Sequence, residues 1–237
     1  MGGTVTDSFR AKKMSNSVRT GINSPSSGLQ KGSSGNIVQE LVFSKTIAEK
    51  KAWEIVTGSN ETGWTLTAIL PSLVTGPGLK YHPTSESNKI VKSLGSKDPN
   101  MIFGGVPISI GTVDIRDVAA AHITAAFWEG AKGERYLITN ESLNFAGMGT
   151  LIAKKYAPEY PIVTKSIPSI LEPLIWLVAP YTGQGIDRKF VSKNFGHETF
   201  LDNSRSKDEL GMEYMSPEQS LQEMYQQMID NGAISKA

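Results

Sequence analysis

Between residues 37 and 139 the sequence alternates twice between helical and strand-like apolar spacing, and this alternation constrains the fold most. Val38, Leu41, Ile47, Ala48, Ala52, Ile55 and Val56 recur at helical intervals, and Gly58 stands where a helix would stop. The spacing predicts a helix over about residues 37–57. Trp64 to Leu70 is a short β-rich run closed by Pro71, which reads as a buried strand. A second helix is expected from Asp117 as N-cap, with Val118, Ala121 and Ala125 on one face and Gly130 as the stop. Glu134 to Thr139 is a second strand candidate. Helices that carry the chain back between strands make those strands parallel, so the expected class is α/β.

After residue 140 the pattern becomes mostly helical, punctuated by Pro161, Pro168, Pro173 and Pro180. The last element is the best marked. Ser216 is a good N-cap, Pro217 suits the first helical position, and Gln219 completes a capping box. Leu221, Met224, Met228 and Ile229 supply the apolar stripe, and Gly232 closes the helix. Residues 1–36 have no apolar periodicity and one acid, Asp7, which reads as a tail or linker. A Ser-rich, acid-poor leader also suits a transit peptide, but no amphipathic helix accompanies it. Three segments are therefore expected: a tail over 1–36, an α/β region over 37–140 and a mostly helical region over 141–237.

Composition narrows the chemistry. The net charge is +1, with 24 basic and 23 acidic side chains. That balance lacks the electropositive footprint of a nucleic-acid or membrane-surface binder, leaving a small molecule as the expected partner. The absence of cysteine excludes disulfides, thiol nucleophiles and thiolate metal sites. His82, His122 and His197 are too scattered for a metal cluster, so no metal is expected. No run approaches the ~20 apolar residues of a membrane helix, and no secretory signal is seen, so a cytoplasmic protein is the expectation.

The motifs give the chemistry a name. Phe43 to Trp53 reads Phe-Ser-Lys-Thr-Ile-Ala-Glu-Lys-Lys-Ala-Trp. It resembles the Ser-Lys-x-x-Ala-Glu-x-x-x-Trp segment of the dihydroflavonol 4-reductase-like branch of the extended short-chain dehydrogenases/reductases (the epimerase/dehydratase superfamily). Ile69 to Pro77 resembles the strand-end loop that runs past the nicotinamide in that family. Gly111 to His122 resembles its Val-Asp-Val-Arg-Asp-Val-Ala-x-Ala-His stretch. Gly133 to Ile138, Asn203 to Gly211 and the capped last helix follow in the family's order, so the resemblance spans about residues 40–232.

The resemblance implies a C-terminal part of a Rossmann-type parallel sheet, with a substrate-binding region after residue 140. It further implies NADP or NAD as cofactor, a ketone or aldehyde as substrate and an alcohol as product. Lys45 would hold the nicotinamide ribose, Pro71, Leu73 and Val74 would lie beside the ring, and Ser87 (with Ser85) falls where the family places a serine near the cofactor. Asp114 and Arg116 are expected to orient loops, and His122 to be packed or on the surface. Taken alone, Lys45 would be an ordinary solvated helix lysine.

Two expected parts are missing. The family's proton-donating tyrosine stands four residues before the lysine, one helical turn away on the same face. Here that residue is Leu41, which can neither donate nor accept a proton. A Gly-rich strand-to-helix turn for a pyrophosphate is also not found, because Ser26-Ser-Gly28 and Gly32-Ser-Ser-Gly35 lack a preceding strand. The expectation is a truncated, impaired reductase. Its alternatives are a non-catalytic binding or assembly module of the same descent, or pairing with a chain that supplies further strands. An open sheet edge would favour self-association.

Overall fold

The computed structural model describes residues 37–58, 63–96, 98, 101, 104–178 and 188–236. The tail expected over residues 1–36 lies outside the described residues. The first helix among the described residues, α1, runs over Ile37–Gly58, matching the apolar spacing. That spacing overstates its burial, since Ile47 and Ile55 are about half exposed. A polar clamp attaches α1 instead: Glu49 accepts from Arg135 Nε at 2.7 Å and from Trp53 Nε1 at 3.2 Å. The Arg135 guanidinium holds the Glu49 carboxyl below its ordinary pKa, against the cost of burial.

Strands β1 (Ala68–Pro71) and β2 (Leu73–Thr75) are one extended run that changes partner at Ser72. β1 pairs in parallel with β4 (Arg135–Ile138), Ile69 opposite Tyr136. β2 pairs in parallel with β3 (Ser109–Asp114), Val74 opposite Val113. The strand expected to end at Pro71 therefore continues. Proline cannot donate to a ladder, but the Ser72 N–H beyond it donates to Ile138 O at 3.1 Å before the chain crosses to β3. Neither β3 nor β5 (Ser142–Asn144), which pairs antiparallel with it, was foreseen as a strand. The parallel pairs establish the expected α/β class and the partial Rossmann-type sheet.

Helix α2 (Glu86–Leu94) follows β2, and α3 (Ile115–Phe127) follows β3. Then come α4 (Phe145–Tyr156), α5 (Glu172–Val178), α6 (Arg188–Asn194), α7 (Ser204–Leu210) and α8 (Pro217–Asp230). The start of α3 corrects the sequence reading: Asp114, not Asp117, is the N-cap, its side chain accepting from Arg116 N. Both aspartates suit a cap. The strand ends at Asp114 with extended dihedrals, φ −74° and ψ 144°, and that decides between them. The helix also stops at Phe127, while Gly130 lies in a 3₁₀ turn over Glu129–Ala131.

Among the described residues the two larger of three apolar clusters hold the layers. In one, Val91 and Leu94 of α2, Met148, Ile152 and Tyr156 of α4, and Leu221, Met224, Tyr225 and Met228 of α8 pack together. In the other, Ala121 and Ala125 of α3 and Leu210 of α7 cover Val113, Tyr136 and Ile138 of the sheet. α8 starts as predicted, with Ser216 accepting from Gln219 N at 3.2 Å and Pro217 in the first turn. The capping box is half made, because the Gln219 side chain donates onward to Glu223 at 2.8 Å.

Helix α4 approaches the next segment so closely that a side chain at Gly149 would begin 1.8 Å from Val163 O, a backbone atom that cannot rotate away. Gly149→Ala is expected to lower stability by about 2 kcal/mol, as overpacking does. Gly58→Ala, with nothing within 4 Å, should leave stability unchanged or slightly raised. Urea denaturation followed by far-UV circular dichroism measures both.

Candidate functional site

The carboxyl ends of parallel strands are where open α/β sheets bind ligands, and here β1, β2 and β4 end among polar side chains. Thr75, the last residue of β2, is buried. Its hydroxyl lies 2.7 Å from Ser220 Oγ of α8 and 3.2 Å from Val113 O. Asp114, opposite Thr75 in the ladder, has a fully buried side chain. It takes a two-point contact from Arg116, Nε to Oδ1 and Nη2 to Oδ2, each 2.8 Å. Arg116 also reaches Glu223 of α8 at 2.7 Å.

Gly76 has φ +95°, and a side chain there would begin 2.4 Å from Asp114 Oδ2. Only glycine fits that turn. Two residues on, the Gln227 amide of α8 brackets the backbone of Gly78, accepting from its N–H at 3.1 Å and donating to its carbonyl at 2.6 Å. The terminal helix thus holds the loop after β2 at Thr75 and again at Gly78.

Two neighbouring carboxylates respond oppositely. Burial alone would raise the Asp114 pKa, but the hydrogen bonds from Arg116 and Ser220 outweigh it and hold the carboxyl below its ordinary range. Burial pushes Asp117 up, and the N–H of Met215, 3.0 Å from Oδ2, offsets only part of this.

The sequence-derived site residues are only partly gathered. Pro71 is exposed at the end of β1. Leu73 and Val74 are half-buried on opposite faces of β2, against the first and second core. Ser87 is half-buried in the first turn of α2, which packs against β2. Lys45 is exposed on α1, one turn after Leu41. The Glu49–Arg135 ion pair joins α1 to β4 of the sheet. His122 is exposed, its Nδ1 2.8 Å from Val118 O, and Asp114 and Arg116 pair with each other where β3 meets α3. Sequence reasoning missed Thr75, Ser220, Glu223 and Gln227. The three on α8 are spaced three and four apart, which places them on one helical face.

No family profile matches the chain. It is 33% identical over 126 residues to tetraketide alpha-pyrone reductase 2 of Arabidopsis thaliana, covering 52% of this chain and 36% of that protein. To cinnamoyl-CoA reductase 1 of Petunia hybrida it is 37% identical over 123 residues, covering 52% and 34%. In three dimensions it resembles Gre2 of Candida albicans in complex with NADPH, with a TM-score of 0.60 and 26% identity over 82% of this chain and 52% of that one. Its relatives are dihydroflavonol-reductase-like members of the extended short-chain dehydrogenases/reductases. The chain spans about a third of the length of those curated reductases and about half that of the solved structure.

The Gre2 structure holds NADPH. The side chains of Pro71 and Lys45 are exposed, and so accessible to a ligand. The glycine turn at Gly76 does not suit a pyrophosphate, since the space beside its Cα is filled by the Asp114 carboxylate. Among the described residues no strand leads through a Gly-rich turn directly into a helix N-terminus.

Substitution separates the two aspartates. Asp114→Asn should cost about 2 kcal/mol near neutral pH, because it leaves Arg116 without its charged partner. Asp117→Asn keeps an acceptor for Met215 and removes a poorly solvated charge, so stability near neutral pH should be unchanged or slightly raised. A lowered carboxyl pKa contributes stability above the ordinary carboxylate range that is lost as pH falls through the lowered value. A raised one contributes below that range and is lost as pH rises through the raised value. The Asp114→Asn deficit should therefore shrink in acid, and any Asp117→Asn gain should vanish there. Urea midpoints across pH read both.

Proposed function

We propose that residues 37–236 form the nicotinamide- and substrate-facing part of an NAD(P)-dependent oxidoreductase of the dihydroflavonol 4-reductase-like type, which reduces a ketone or aldehyde to an alcohol. The observation that carries this reading is the partner switch at Ser72. It sets Pro71 to Thr75 across the carboxyl ends of parallel strands, in a fold similar to the NADPH complex of Gre2. The bound nicotinamide would supply the hydride. Lys45 would hold its ribose, Pro71, Leu73 and Val74 would flank the ring, and Ser87 would lie close by. The substrate would sit between the strand ends and the helical region after residue 140. Leu41 stands where a proton donor belongs, so carbonyl reduction by this chain is impaired. Pairing of copies along the open side of β1 belongs to the same reading.

A second reading, a non-catalytic binding or assembly module of reductase descent, is favoured by Leu41 and by the exposure of Lys45. Fluorescence titration with NADPH separates the two. The reductase reading expects saturable binding tighter than about 1 mM, weakened about tenfold, or about 1.4 kcal/mol, by Lys45→Ala. It also expects Leu41→Tyr to raise carbonyl-dependent NADPH oxidation above that of the unsubstituted chain. Absence of saturable binding would leave the module reading. Light scattering checks self-association, which requires a mass of twice the single chain.

A further inference from the structure

Helix α1 differs from the helices that build the cores. Over residues 44–58, where its side-chain burial is described, none is buried. Glu49, Ala52, Trp53 and Val56 are half-buried, and the rest of that span is exposed. These four recur at intervals of three and four, so they share one face. No residue of the span belongs to any of the three apolar clusters or is among the half-buried side chains packed against them. Helix α8, by comparison, commits Leu221, Tyr225 and Met228 to full burial.

The half-buried face is organised around a charge. Glu49 accepts from two guanidinium nitrogens of Arg135, Nε at 2.7 Å and Nη2 at 3.2 Å, while Trp53 Nε1 donates to the same carboxylate at 3.2 Å. The Glu49 and Arg135 side chains are 27% and 21% exposed, so the pair is shielded from solvent without being sealed from it. The Arg135 end is firmly anchored. Its strand, β4, contributes the fully buried Tyr136 and Ile138, and its carbonyl accepts from Arg205 Nη1 of α7 at 3.1 Å. Arg205 is in turn held by Glu134 and Glu209, each at 2.9 Å.

A two-point pair of this kind is a strong directional tie. Segments with few buried apolar contacts nonetheless open while the rest of a domain stays folded, and a helix freed from its packing face is marginal in water. We infer that residues 44–58 of α1 form a latched segment: the Glu49–Arg135 pair holds it on β4, and when the pair parts the segment leaves the sheet and unwinds with the cores still closed. Lys45 lies one turn before Glu49, so the nicotinamide contact proposed for it is made only in the latched state. That consequence rests on the reductase reading, whereas the latch itself involves no cofactor or substrate.

Amide hydrogen exchange of the full chain, without ligand, tests the latch. Amides of residues 44–58 are expected to exchange at least about a hundredfold faster than the slowest amides of α4 and α8. Glu49→Gln and Arg135→Ala should each speed exchange over 44–58 by at least about a further tenfold, with protection in α4 and α8 retained. The double substitution should add little to either, because both remove the same pair. Glu49→Gln leaves β4 untouched, so it reads the latch even where Arg135→Ala disturbs the strand. Protection over 44–58 equal to that of the α8 core would overturn the inference. So would substitutions that leave exchange over 44–58 unchanged, that act additively, or that speed it together with exchange in α4 and α8.

Discussion

The buried Asp114 carboxylate is the interaction on which the surrounding structure depends. It ends β3, caps α3 through the Arg116 N–H, and fills the space that a side chain at Gly76 would need. A charge so placed is costly unless its lone pairs are occupied. Arg116 and Ser220 occupy them, and both lead to α8, Ser220 by belonging to it and Arg116 by reaching Glu223. Satisfying one carboxylate therefore fixes the strand end, the start of the next helix and the position of the last one.

That arrangement explains how the last helix in the sequence controls a loop some 150 residues earlier in the chain. Its apolar face, Leu221, Met224, Tyr225 and Met228, is held by α2 and α4. Its polar edge then presents Ser220 to Thr75 and Gln227 to Gly78. Packing supplies the position, and the hydrogen bonds select which loop conformation survives. The loop so held follows β2, where an α/β sheet would meet its ligand. In contrast, α1 carries Lys45 at an exposed position and is tied to the sheet by the Glu49–Arg135 pair.

The family resemblance rests on short motifs, and the structure shows what those motifs do. Asp114, Arg116 and Asp117 build one polar hub: two hold a strand-to-helix junction, and the third receives the Met215 N–H just before α8. Gly76 in the strand-end loop answers to the same hub. These residues maintain the frame of the site, whereas of the groups proposed to meet a cofactor Lys45 and Pro71 are exposed and Leu73, Val74 and Ser87 half-buried.

The sequence by itself determined the elements whose signals are local. Helical spacing over 37–58, the Ser216–Pro217 start of α8 and the strand around Tyr136 follow from side-chain periodicity and from backbone donors that a nearby residue can satisfy. Only the tertiary structure decided matters set by distant partners. Asp114 rather than Asp117 became the cap because β3 ends there and Met215 claims the other carboxylate. The run through Pro71 stayed extended because β4 and then β3 lay alongside it. Ile47 and Ile55 stayed exposed although their spacing promised a buried face. A periodic pattern states which side of a helix is apolar, but whether that side is covered depends on what the rest of the chain brings against it.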